Sequence, residues 1–371
     1  MVSRGGGESQ RRRARTCAGS HAPLLSAWGL PLHAVDNLVA MPRVLAATWW
    51  LFGSTVLAGV VLRPWAGDEL HVTRYTGYLM PWLLLGLVPG AAWACLRRRW
   101  ALAAVLGASA ATIVSLQAHL FRPRPSAPAH GAIALRVMSY NTWATNLDAT
   151  RIASVVLRYR PDVLLLQEIR GDVLSRFTEA ASGLYAGAPL HLVYDPDLEQ
   201  AIVSRYAIEP AASLARKGNV QKVVLCAPGA RVTVFNVHPP RSGGWRHRYT
   251  QISALVDEDV LREDGPVILG GDFNAPDRSQ LYERVSSALA NAHAQRGLGF
   301  GFTYPALVRS PFGPVPTVPL VRIDHLFFSD HFVAVRAGTL DDSGGSDHRP
   351  VFVELAPKAG AARSSVAAGH D

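Results

Sequence analysis

The sequence predicts an α/β domain preceded by a three-helix transmembrane region, and three observations carry that expectation. Three long apolar stretches lie before Phe121, and short β-branched runs alternate with helical stretches after Ala132. The polar residues that follow those runs repeat a few chemical types: carboxylate, amide and imidazole.

Composition separates the two regions. Of 37 Lys plus Arg and 28 Asp plus Glu in 371 residues, 13 and 4 fall before Gly131, while the remainder of the chain holds 24 of each. The net charge of +9 therefore belongs to the N-terminal third. A region of zero net charge lacks the broad basic footprint of a nucleic-acid binder, so the basic residues are better read as topology signals around helices. Cys17, Cys95 and Cys226 are too few and too scattered for a disulfide framework or a zinc site.

Residues 1–40, with Gly5-Gly6-Gly7 and Arg11-Arg12-Arg13, show no periodicity and are expected to be a disordered tail; Met41 is an alternative translation start. Val44 to Leu62 and Tyr78 to Leu96 carry no charge, and Ala101 to Leu120 has only Gln117 and His119 as strongly polar residues beyond its small hydroxyls. A bilayer crossing needs about 20 apolar residues, so the region 41–121 is read as three spans, at 44–62, 78–96 and 101–120. A cleaved signal peptide would account for one such stretch and not three.

Cytoplasmic flanks collect Lys and Arg. Arg11, Arg12, Arg13, Arg15 and Arg43 precede the first span, and Arg97, Arg98 and Arg99 separate the second from the third. The intervening loop, where Asp68 and Glu69 offset Arg63 and Arg74, suits the outer face. Everything after Phe121 is then extracytoplasmic in a multi-pass protein of the plasma or inner membrane, with Arg122 and Arg124 as opposing signals.

Pro123, Pro125 and Pro128 make 122–131 a stiff linker, followed by a domain over 132–356 and a disordered tail over 357–371. Strands are expected at Ala134–Ser139, Val163–Gln167, Ala201–Ser204, Val223–Cys226, Arg231–Val237, Val267–Leu269, Ile323–Phe328 and Val351–Leu355. Helices are expected at Ala149–Tyr159 and from about Arg246 to Leu261.

The residues after these strands are Asn141 in Ser-Tyr-Asn-Thr-Trp, Glu168 in Leu-Gln-Glu-Ile-Arg, and His238 in Asn-Val-His-Pro-Pro. Asp272 and Asn274 follow in Gly-Gly-Asp-Phe-Asn, then Asp324 in Arg-Ile-Asp-His and the pair Asp347-His348. Asp272 and Asn274 alternate around Phe273, so an extended backbone would turn both to one side; an Asx turn favoured by Pro276 is the alternative. Gly270-Gly271 would allow close approach of backbone and substrate.

From about Leu135 to Leu355, these blocks in this order resemble the endonuclease/exonuclease/phosphatase superfamily. The resemblance implies a four-layer α/β/β/α sandwich of two mixed sheets and hydrolysis of a phosphate ester by in-line attack of water. It also implies a divalent cofactor, Mg²⁺, with Mn²⁺ or Ca²⁺ as alternatives. By the same resemblance Glu168, Asn141 and Asp347 are metal ligands, and His348, Asp324, Asp272, Asn274 and His238 are catalytic. Asn274 and His238 also contact substrate, with Arg170 as a further candidate. Whether His348 takes a proton from water or stabilises the transition state stays open, and His325 is read as structural.

Two substrate classes fit: nucleic-acid phosphodiesters, or phospholipid headgroups and other small phosphate esters at the membrane surface. The bilayer is an expected partner and no protein partner is evident. A membrane-bound module that binds phosphate esters without turnover is the alternative reading.

Overall fold

The computed structural model describes residues 32–122, 135–214 and 219–358. Residues 1–31 of the tail expected over 1–40, nearly all of the expected linker, and residues 359–371 of the tail expected over 357–371 lie outside the described residues. The chain divides into two compact units, Met1–Phe52 and Gly53–Asp371, with the boundary inside the first helix.

That helix, α1 (Leu32–Ala66), begins earlier than expected, so residues 32–40 are helical and not tail. After it come α2 (His71–Tyr78), α3 (Met80–Leu96), α4 (Trp100–Gln117) and a 3-10 turn, Ala118–Phe121. Among the described residues, two helical segments, Met41–Ala66 and Trp100–Phe121, are long and apolar enough to cross a membrane. A third candidate exists if α2 and α3, bent by 91° at Leu79, count as one span. Pro81 in the first turn of α3 favours a helix start there, because proline lacks the amide a continuing helix would need. Large apolar side chains point outward along the helices, among them Leu85, Val88 and Val114, each more than half exposed.

The second region is a sandwich. Its elements are β1 (Leu135–Asn141), α5 (Ala149–Tyr159), β2 (Val163–Gln167), α6 (Gly171–Ala180), β3 (His191–Asp195), β4 (Gln200–Ser204), β5 (Ile208–Leu214), β6 (Val220–Ala227), β7 (Ala230–Val237) and α7 (Gly244–Glu258). They continue with β8 (Val267–Asp272), α8 (Gln280–Ser286), β9 (Ala290–Asn291), α9 (Ala292–Arg296), β10 (Leu307–Ser310), β11 (Gly313–Pro316), β12 (Asp324–Phe328), β13 (Phe332–Thr339) and β14 (Val351–Pro357). One six-stranded sheet has the order β13-β14-β1-β2-β4-β3 and the other β5-β6-β7-β8-β12-β9, while β10 and β11 form a separate hairpin.

Inner faces meet through residues such as Val137, Leu165 and Ile202 of one sheet against Val234, Ile268 and Leu326 of the other. Outside the first sheet pack α5 and α6, through Ile152, Val156 and Phe177. Outside the second pack α7 and α8, through Ile252, Leu255 and Leu281. The central strands β2 and β8 are buried along their whole length, which is why Val163–Leu166 and Val267–Leu269 read as continuous apolar runs.

Topology places the polar residues together. β1 and β2 run parallel, as do β7 and β8. Asn141 and Asp272 end β1 and β8, and Glu168 and His238 follow β2 and β7. β12 is antiparallel to β8 and sets Asp324 opposite Asp272, so its first residue arrives at the same edge. A buried network ties the sheets beneath that edge: Asn236 donates to the Leu166 carbonyl at 2.9 Å, and Gln167 donates to Asn236 Oδ1 at 2.7 Å.

Candidate active site

Asn141 sits at the centre. Its Nδ2 donates to Glu168 Oε1 and to Asp272 Oδ2, both at 3.1 Å, and its Oδ1 accepts from the Trp143 amide. Glu168 leaves β2 with φ of 53°, a left-handed conformation that turns its carboxylate back over the strand ends. There Oε2 accepts from the Ala144 amide at 3.1 Å. His238 Nε2 lies 3.4 Å from Glu168 Oε1 and 3.7 Å from Asp272 Oδ2.

Asp272 is fully buried, and its Oδ1 accepts from the Asn274 amide at 2.8 Å. This is the Asx turn; the extended arrangement does not form, because Asn274 has φ of 48°, which asparagine tolerates. Both side chains nevertheless reach the site while Phe273 packs inward. The glycines before them serve the fold: a Cβ on Gly271 would stand 1.9 Å from the Val237 carbonyl oxygen, and one on Gly270 would meet Leu326 and Leu165.

His348 is fully buried, with Nδ1 2.9 Å from Asp324 Oδ2 and Nε2 3.7 Å from Asp272 Oδ2. Burial works against a charged ring, but Asp324 and Asp272 outweigh it and raise the imidazole to about 9. For Asp272 burial opposes ionisation, yet His348, His238, the Asn274 amide and Arg241 together hold its carboxyl below the usual range. Asp347 goes the other way: burial pushes it up to about 6, Glu168 adding to the rise against the pull of His348. Ser346 donates to the Asn141 carbonyl at 2.7 Å and accepts from the His348 amide, which fixes this last segment to β1.

Arg170 is not drawn in. It caps α6 and pairs with Asp172 at 3.0 Å, with half of its side chain exposed. Arg246 pairs with Glu69 of the helical region. His325 Nε2 reaches the Ala275 carbonyl, and the ring packs on Phe273 and Tyr282, as a structural histidine would.

Two residues were missed by sequence reasoning. Arg241 donates to Asn274 Oδ1 at 2.8 Å and feels Asp272, Glu168 and Asp347. Its only signal is a cation three residues after His238. Tyr304 lies between two functional candidates: its ring centroid is 4.8 Å from that of His348 and 5.3 Å from the Arg241 guanidinium carbon.

Among the described residues, two groups of side chains bring ligand atoms within 4.8 Å of one another: Glu168, His238 and Asp272, and Asp272, Asp324 and His348. Asp347 belongs to neither, but its Oδ1 is buried without a hydrogen-bond partner. A buried carboxylate oxygen lacking a donor is costly, and a hard cation would satisfy it. The donor set therefore fits a divalent ion.

Comparison with known proteins supplies the lineage. A relative in Vibrio campbellii, a UPF0294 protein, is 24% identical over 234 residues, covering 60% of this chain and 77% of the relative. An uncharacterized protein of Caenorhabditis elegans is 22% identical over 181 residues, 41% of this chain and 57% of that one. Among solved structures, a mannosyl-6-phosphatase of Bacteroides thetaiotaomicron is similar over 60% of this chain and 99% of its own, at 23% identity and a TM-score of 0.48. D. rerio TDP2 complexed with single strand DNA product is similar over 60% and 98%, at 17% identity and a TM-score of 0.46. The model of the endonuclease/exonuclease/phosphatase family matches residues 138–348, more than half of the sequence and every residue of the cluster, so the chain belongs to that family.

Proposed function

We propose that the protein is a membrane-tethered, divalent-metal-dependent phosphoesterase. One observation carries the reading: Asn141, Glu168, His238, Asp272, Asn274 and the Asp324–His348 pair converge at one edge of both sheets. The apolar surface of the long helices supports the tether.

Glu168, Asn141 and Asp347 would hold the metal, with the other carboxylates close by. When bound, a divalent ion supplies positive charge that neutralises phosphate oxygens and eases the ionisation of water. Asp272, kept ionised, accepts a hydrogen bond from the attacking water and aims it at phosphorus. Asn274 and Arg241, joined by their 2.8 Å bond, present an amide and a guanidinium to phosphate oxygens. His348, charged through its contact with Asp324, donates from Nε2 as negative charge builds on the phosphoryl group, and Asp324 fixes the ring. His238 is placed to contact the phosphate or the leaving oxygen. Water attacks phosphorus in line and passes its proton to Asp272, the ester P–O bond breaks, and the departing oxygen takes a proton from solvent.

The test is hydrolysis of bis(p-nitrophenyl) phosphate by the full-length protein with Mg²⁺, with chelator and as His348→Ala. Turnover that needs both the metal and His348 is expected; turnover untouched by either change would refute the reading.

A further inference from the structure

The segments that carry the site residues also carry the bonds to the helical region. In the first, Asp272 and Asn274 lead within a few residues to Arg278 and Gln280. Arg278 donates to the Leu116 carbonyl of α4 at 2.6 Å. Gln280 and Asp68 bond reciprocally: the Asp68 amide donates to Gln280 Oε1 at 2.9 Å, and the Gln280 amide donates to Asp68 Oδ2 at 2.8 Å. Asp68 is 1% exposed and also accepts from Arg63 and Tyr78, so this clip is built into the fold.

A second segment runs from His238 and Arg241 to Trp245 and Arg246, which meet Arg74 and Glu69 beside α2. The third carries Phe300, Phe302, Tyr304 and Leu320. Phe300 packs edge-on against Phe121, Phe302 stacks on Trp82, and Trp82 donates to the Leu320 carbonyl at 2.8 Å. All these helix residues lie at one end of the bundle, where α1 ends, α2 begins and α4 ends. The opposite end is the Arg97–Arg99 turn.

Apolar side chains are exposed on the same segments. Leu298 and Val318 are each 70% exposed, and Leu320 is 45% exposed. Phe312, at the tip of the β10–β11 hairpin that leads into Val318, is wholly exposed. On the helix ends Trp65 and Tyr75 stand out, as amphipathic aromatics do at a lipid–water boundary.

We propose that the substrate is a phosphate ester carried by a lipid of the same membrane, entering the site sideways from the leaflet on which Leu298, Val318 and Leu320 rest. This deepens the phosphoesterase reading and depends on it. The occupant of the apolar rim is the bilayer, because the rim is continuous with the ends of the helices that would cross it. Burying those side chains in lipid is favourable at about 25 cal/mol per Å² of apolar surface. Phosphate sits at headgroup height, the level at which the site segments meet the helices. A long polyanion would instead have to approach a domain of zero net charge beside that surface.

Full-length protein reconstituted into vesicles tests this. Phosphatidylcholine vesicles are doped in turn with phosphatidylglycerol, sphingomyelin, phosphatidylinositol 4-phosphate or phosphatidate, and the same lipid is also offered in separate enzyme-free vesicles. At least one lipid should turn over about a hundredfold faster when it shares the bilayer with the enzyme, since tethering raises effective concentration. Val318→Glu with Leu320→Glu should lower the ratio of lipid to bis(p-nitrophenyl) phosphate turnover by about tenfold, the rim no longer seating in lipid. A fluorophore on Val318→Cys should report an apolar setting in vesicles, a readout independent of turnover. Hydrolysis of the soluble diester without any lipid turnover, equal rates in shared and separate vesicles, or faster cleavage of a single-stranded oligonucleotide would overturn the lipid assignment alone. No hydrolysis of the soluble diester or of any of the lipids would remove the phosphoesterase reading and this one with it.

Discussion

The two halves of the polar cluster differ in their access to water. Asp272, Asp324 and His348 are at most 1% exposed, whereas Glu168 and His238 keep about a fifth of their side chains open. In the closed half the charges have little solvent to screen them, so each fixes the protonation of the next. Partial exposure leaves the open half room for a phosphate and its counter-ion. On the proposed reading the chemical step belongs to the deep groups and capture to the shallow ones, and single substitutions should separate the two.

The largest effect is expected in the closed half. His348→Ala should lower kcat by about a thousandfold with little change in KM, because a positioned proton donor contributes typically 10²–10⁴; steady-state kinetics on the soluble diester decide it. Asp324→Asn should follow at about a hundredfold, since the buried pair no longer holds the ring charged, and its rate should decline at lower pH than wild type. In the open half the loss should appear as binding: Glu168→Gln should raise the Mg²⁺ concentration for half-maximal activity by at least about tenfold, read from a metal titration. Arg241→Ala should raise KM about tenfold and leave most of kcat. A kcat loss for Arg241→Ala as deep as that for His348→Ala would erase the distinction.

A smaller effect concerns stability in acid. Burial, with Arg322 nearby, lowers His293 to about 3 and His325 to about 4, both from 6.5. These rings are neutral in the fold, so below pH 6.5 the unfolded chain binds more protons than the native one. Their contribution is complete above that value and is lost as pH falls toward 4 and then 3. Thermal unfolding across this range should show the decline, and His293→Gln should flatten it.

Much of this was legible in the sequence, for identifiable reasons. β2 was expected with its true ends because five consecutive apolar or amide residues are buried on both faces. α5 was expected because its apolar positions recur at helical spacing and Asp148 caps it. β3, whose residues are nearly all half-buried, has no apolar run to betray it. α6 follows a site loop and carries Asp172 and Arg176 on an exposed face, so its apolar stripe is short. In the site, Asn141, Glu168, His238 and Asp272 were found because each ends or follows an apolar run, while Asp324 opens β12 and Asp347-His348 precede β14. Arg241 and Tyr304 were not, since loops deliver them and no period marks a loop. Asn236 and Gln167 were hidden for a different reason: a polar residue inside a strand gives no hint that its partner lies on another sheet.

The reciprocal bonds between Asp68 and Gln280 bear on how separable the parts of this protein are. A conventional anchor is a module, exchangeable for any other segment that holds its cargo to a surface. Here the loop after α1 supplies a buried carboxylate to the helix that follows Asn274, and Gly67 leaves no room for a Cβ beside Gln280. Grafting the sandwich onto foreign helices would leave that helix start without its acceptor. A chimera that keeps these bonds would have to carry the residues around Asp68 along with the sandwich.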